Sequence, residues 1–186
     1  MSDRILILVA LSVILAMVVG TSLQLRKPQF APPLNLESMV KASPPRPLEA
    51  VASADADGNS MPLNARIKRP TLISFWATWC VPCLRELPTV GKFKTMADTA
   101  GMDVLTVSED KEGAGPAQKL LAEKGLSLPL LVDADGSVAK SLRIRGLPTT
   151  LIINAKGEEI ARMEGEADWG QKESLDAVLG LLNEAK

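Results

Sequence analysis

Hydrophobic and polar positions divide the chain into three stretches with different periods. The first is Ile5 to Gly20, ILILVALSVILAMVVG, in which Ser12 is the only polar interruption. Carried on to Leu25, it predicts a helix about 30 Å long, enough to cross a bilayer. A cleaved signal peptide is the competing reading. However, no A-x-A site stands just after the apolar run, and no Cys follows it to take a lipid. Residues 1–27 are therefore read as an uncleaved N-terminal anchor. Arg4 precedes the span and Arg26 and Lys27 follow it, so the positive-inside rule says little about orientation and leans towards a cytoplasmic C-terminal side.

The second stretch, residues 28–60, shows neither period. Pro28, Pro32, Pro33, Pro44, Pro45 and Pro47 favour extended polyproline geometry at ~3.1 Å per residue. This predicts a tether, with a polar loop at Ser53–Ser60 and a turn at Asp57-Gly58. Weak strands at Leu48–Val51 and around Met61–Leu63 would make an N-terminal hairpin.

The third stretch, residues 61–186, forms the domain proper. Thr71–Trp76 (TLISFW) reads as a buried strand. In the helix that follows, Cys83, Leu87 and Val90 share a face and Pro88 predicts a kink. Asp103–Val107 and Pro129–Val132 are further strands, with a helix over Gly115–Lys124 between them. Ser137–Leu142 reads as a short helix. Thr149–Ile153 and Glu159–Met163 form a hairpin about Lys156-Gly157. Gln171–Asn183 closes the chain as an amphipathic helix, with Leu175, Val178, Leu179 and Leu182 on its apolar face. Strand–helix–strand followed by hairpin–helix predicts an α/β three-layer fold, a central mixed sheet flanked by helices, behind an N-terminal transmembrane helix.

Composition narrows the chemistry. The 186 residues carry 21 basic and 22 acidic side chains, a net charge of −1, so no basic excess marks a nucleic-acid face. The run Arg66, Lys68, Arg69 reads as a solvated turn. There is no His. That removes Ser-His and Cys-His dyads and every His-based metal site. The two cysteines lie three positions apart and belong to one local feature.

That feature is Trp76–Cys83, W-A-T-W-C-V-P-C. A lone CxxC is weak. A zinc site would need two further ligands from carboxylates. A structural disulfide over two residues would restrain the unfolded chain little. The strand-then-helix context favours redox chemistry. Cys80 opens a helix, where unpaired N–H groups and the helix dipole favour thiolate. Pro82 suits the first turn. Cys83, one turn on, is placed to attack a mixed disulfide formed at Cys80.

FWATWCVPC, with the later Gly146-Leu147-Pro148-Thr149-Thr150, resembles the thioredoxin superfamily and its TlpA/ResA-type membrane-anchored branch, over roughly Thr71 to Lys186. The resemblance implies a thioredoxin-like fold and thiol-disulfide oxidoreductase activity with no bound cofactor or metal. It makes Cys80 the exposed nucleophile, Cys83 the resolving thiol and Trp79 the aromatic beside them. Pro148 becomes the cis-proline facing the disulfide, and Glu86 an acidic residue near the cysteines. Val81, Pro82, Leu147 and Thr149 are then expected to border the substrate groove. Ala114 to Ser127 corresponds to part of the branch's insertion, and Glu164–Trp169 to its approach to the last helix. Trp169 is read as packing beneath that helix. Where thioredoxin carries a buried Asp, this chain has Ser74, which leaves Glu86 as the candidate proton acceptor.

The resemblance further implies a dithiol reductant in the bacterial inner membrane, single-pass, with its C-terminal domain in the periplasm. Expected substrates are apocytochrome c or a copper-assembly factor of cytochrome oxidase, and the expected electron donor is a membrane thiol reductase. Two rivals stand beside it: an oxidant or isomerase using the same cysteines, and a Cu(I)-binding module. Val81-Pro82 does not choose the direction, since potentials of such motifs span roughly −270 to −120 mV.

Overall fold

A computed structural model describes residues 32–35 and 38–185. The segment read as a membrane anchor lies outside them. Among the described residues no helix is long and apolar enough to cross a membrane.

Among the described residues eight strands build one mixed sheet: β1 (Met39–Pro47), β2 (Ala52–Asp55), β3 (Ser60–Pro62), β4 (Thr71–Trp76), β5 (Asp103–Ser108), β6 (Leu130–Val132), β7 (Thr149–Ile153) and β8 (Glu158–Glu164). Their order is β1-β8-β7-β4-β5-β6-β2-β3. β4, β5 and β6 run parallel, and the remaining neighbours pair antiparallel. The helices are α1 (Leu63–Arg66), α2 (Val81–Thr99), α3 (Ala114–Glu123), α4 (Ser137–Ser141) and α5 (Lys172–Glu184).

β4 explains the layering. It is paired on both edges and buried on both faces, which is why it reads as a continuous apolar run. Leu72 and Trp76 join a core with Leu87, Val90 and Phe93 of α2, Leu121 of α3 and Val178 and Leu182 of α5. Ile73 and Phe75 join the other core, with Leu63 of α1 and Val138 of α4. The period of two along the strand thus separates two helical layers.

The tether reading fails from residue 39 onward. β1 is an edge strand on β8, with a register shift between Lys41 and Arg46, and Met39 is buried in the core. Its prolines are tolerated because an edge strand with a bulge need not donate from every position. The hairpin is present, but as β2 and β3 rather than at Leu48–Val51. Its turn is tightened by the Asp55 carboxylate, which accepts from the backbone N–H of Asp57 and Asn59. Arg66 caps it through Ser53 and the Asn59 carbonyl, a more specific role than that of a solvated turn. α2 continues through Pro88, which is exposed and forfeits only the bond to the Leu84 carbonyl.

Candidate active site

The site grows out of the end of β4. After Trp76 the chain makes a turn closed by the Cys80 N–H on the Ala77 carbonyl, 3.2 Å away. Cys80 is the N-cap of α2, with extended backbone, and its Sγ accepts from the Cys83 N–H at 3.3 Å. Pro82 occupies the first turn, where its missing N–H leaves no helical bond unmade. Cys80 and Cys83 are joined by a disulfide. Both cysteines are buried, against the expectation of an exposed nucleophile; Cys83 is 0% exposed and Cys80 5%, so Cys80 is the less enclosed of the two. Trp79 (67% exposed) and Val81 (61%) flank it as large apolar side chains left open to solvent.

β7 brings the second half of the predicted constellation to the same end of the sheet. Phe75 pairs with Thr149, so Pro148 stands beside the last residue of β4, where the cysteine turn departs. The Leu147–Pro148 bond is cis. Leu147 is half-buried and packs on both cores. Pro148 and Thr149 are buried, and the Thr149 hydroxyl donates to the Gly146 carbonyl at 2.8 Å. Of the residues expected to border a groove, Trp79, Val81, Pro82 and Leu147 therefore reach the surface, whereas Thr149 faces inward.

Glu86, one turn beyond Cys83, is only 2% exposed. Its Oε1 accepts from the Trp169 indole N–H at 2.6 Å and from the Ala167 backbone N–H at 3.2 Å. Burial nevertheless pushes its carboxyl up to about 8, the two hydrogen bonds acting in the opposite sense. Arg85 makes a two-pronged ion pair with Glu166 beside it, at 2.8 and 2.9 Å. The Thr89 hydroxyl accepts from the Trp169 backbone N–H. The segment before α5 is thus fastened along α2. Trp169 does pack, edge-on against Phe93 at 5.9 Å, but it also holds Glu86.

A second acidic group lies at the end of β5. The buried Asp110 carboxylate accepts from the backbone and hydroxyl of Thr78, in the cysteine turn. Burial pushes its neighbour Glu109 up to about 8, and the Asp133 carboxyl facing it acts in the same direction. These residues were not legible as site residues. The available signal was the Ser108-Glu109-Asp110 run directly after a strand parallel to β4.

Fold and site together define a domain of thioredoxin-like architecture that carries a Cys80–Cys83 disulfide at the N-terminus of α2. The chain belongs to the Redoxin family, which it matches over residues 38–179. It is similar to thiol-disulfide oxidoreductase ResA of Halalkalibacterium halodurans, 33% identical over 104 residues covering 56% of this chain and 58% of that protein. ResA of Bacillus thuringiensis subsp. konkukian is 25% identical over 125 residues, 67% of this chain and 70% of its own. Among solved structures, a secreted thiol-disulfide isomerase from Corynebacterium glutamicum superposes with a TM-score of 0.67 at 20% identity, covering 85% of this chain and 96% of that one. That last likeness concerns the fold alone.

Proposed function

We propose that the protein is a membrane-anchored dithiol reductant acting on disulfides of partner proteins in the periplasm. In the reduced pair, Cys80 as thiolate attacks a partner disulfide, forming a mixed disulfide and releasing one partner thiol. Cys83 then attacks the Cys80 sulfur, releasing the second thiol and closing the Cys80–Cys83 disulfide. Two electrons pass to the partner, and a membrane thiol reductase must return them. The observation that carries this reading is the asymmetry of the pair: one sulfur at the helix N-terminus beside exposed Trp79 and Val81, the other wholly enclosed.

The apolar run at Ile5–Leu25 supports an anchor in the inner membrane, and a site outside the cytoplasm avoids duplicating the cytoplasmic thiol pool. Apocytochrome c or a copper-assembly factor of cytochrome oxidase are the substrates we propose, on likeness to the ResA-type relatives.

The test is trapping. A Cys83→Ala variant expressed in its membrane should accumulate a mixed disulfide through Cys80, and mass mapping identifies what it holds. Recovery of an oxidised cytochrome or copper-factor cysteine supports the reading. Accumulation of the wild type in its disulfide form, with partner proteins losing disulfides when the gene is deleted, would reverse the direction and make it an oxidant.

A further inference from the structure

The turn that delivers Cys80 is tied by side chains to the neighbouring strand. Thr78, two residues upstream, donates its backbone N–H to both oxygens of Asp110, at 3.1 Å each. Its hydroxyl reaches Oδ1 at 2.6 Å, and the Ser108 hydroxyl reaches Oδ2 at 2.7 Å. Asp110 lies two residues past the end of β5 and is wholly buried. Its own N–H donates to Ser108 Oγ at 3.2 Å, and its carbonyl accepts from the Gly113 N–H at 3.1 Å. The residue therefore has little freedom to move.

Every one of these donors is a neutral N–H or O–H. Burying a carboxylate on neutral donors costs desolvation that an amide or hydroxyl in the same place would largely avoid. Holding the turn does not by itself call for a charge. The carboxylate is tied through Thr78 to the turn that ends at Cys80, so its charge stands beside the segment that presents the nucleophile.

We propose that Asp110 is a positioning residue for Cys80: through Thr78 it fixes the turn, and its fixed negative charge restrains thiolate formation at the helix N-terminus. The α2 N-terminus favours the thiolate and Asp110 opposes it. Because a stabilised reduced form makes a dithiol pair more oxidising, Asp110 shifts the pair towards the reducing end. Glu109 on the β5 end, Asp133 and Asp135 after β6, Glu86 on α2, and the Arg85–Glu166 and Arg145–Glu164 ion pairs are further charged groups around this end of the sheet. They remain in place when Asp110 alone is changed. The proposal rests on Cys80 being the nucleophile, and not on the direction of electron flow or the identity of a partner.

The experiment uses the full chain. In Asp110→Asn the side-chain oxygen can still receive the Thr78 N–H while the charge is gone. Its far-UV spectrum should match wild type. The pH midpoint of Cys80 alkylation in the reduced protein should fall by about half a unit, about threefold in thiolate at a pH below the midpoint. The potential, read against dithiothreitol buffers, should move in the less reducing direction. An unmoved midpoint and potential, with only a lower melting temperature, would reduce Asp110 to a structural staple and overturn the proposal. If Asp110→Asn does not fold, Thr78→Val and Thr78→Ser decide. Altered alkylation and potential in Val, restored in Ser, support it; wild-type values in both overturn it. Turnover of a small aromatic disulfide by wild type is measured alongside. Active wild type with unmoved variants sinks the role of Asp110 alone, whereas wild type without thiol-disulfide exchange sinks the oxidoreductase reading with it.

Discussion

Glu86 sits where two influences meet. Two N–H groups converge on Oε1 and favour the carboxylate, yet enclosure wins and holds the acid up to about 8. An acid with that value exchanges protons readily near neutrality, one helical turn from a thiol that must lose its proton out of contact with water. Glu86→Gln keeps the acceptor oxygen and should keep the fold. The variant is expected to change the pH profile of thiol alkylation and to slow release from a mixed disulfide by about tenfold or more. Superimposable wild-type and variant profiles in stopped-flow exchange would leave Glu86 with a purely architectural part. The position of Glu86 relative to Cys83 could be read from helical spacing alone. Its partners could not, because Ala167 and Trp169 follow it by some eighty residues and only the folded sheet brings them close.

At the level of elements, the segment before residue 48 separates a tether from a strand. Composition argued for a tether because prolines dominate it. The structure instead makes β1 an edge strand, carrying Met39 into the core and setting Arg46 on the buried Glu159 at 2.7 Å. Glu159 also holds Arg162, itself buried and donating to the Leu142 and Arg143 carbonyls, so this edge braces the loop that leads to Pro148. Deleting residues 1–47 should therefore cost at least about 3 kcal/mol, roughly 10 °C in melting temperature, relative to a chain begun at residue 32. Equal melting temperatures in calorimetry would restore the tether. β4 and β7, by contrast, were legible to the residue, since burial on both faces writes a short, mostly apolar run in which only small Ser and Thr side chains intervene. β1 was not, because an edge strand can be proline-rich and mostly polar and still pair. The four-residue α1 is too short for helical periodicity to register.

For the whole molecule, the buried acids predict an unusual dependence of stability on pH. In the oxidised protein Cys80 and Cys83 do not titrate, and the chain has no His to titrate between pH 5 and 8. Asp55 and Asp135 are held below the ordinary carboxylate range by their hydrogen bonds, so their contribution is complete by pH 5. Glu86 and Glu109 remain, both raised from 4.5 to about 8, the first almost wholly enclosed and the second half so. Below about 4.5 each is protonated in both the folded and the unfolded chain, and the fold keeps its full stability. As pH rises towards 8 the unfolded chain ionises these acids while the folded one does not, and stability drains away until the folded pKa is passed. Glu86 dominates, with a loss on the order of a few kcal/mol, and the share of Glu109 is smaller because water screens it. The melting temperature of the oxidised protein should thus fall steadily between pH 5 and 9, where most proteins are near their plateau. Glu86→Gln should flatten most of that slope, and adding Glu109→Gln most of the remainder. A wild-type melting temperature that stays level across this range would show that both carboxylates ionise inside the fold at little cost, and Glu86 would then lack the raised pKa on which its part in proton exchange depends.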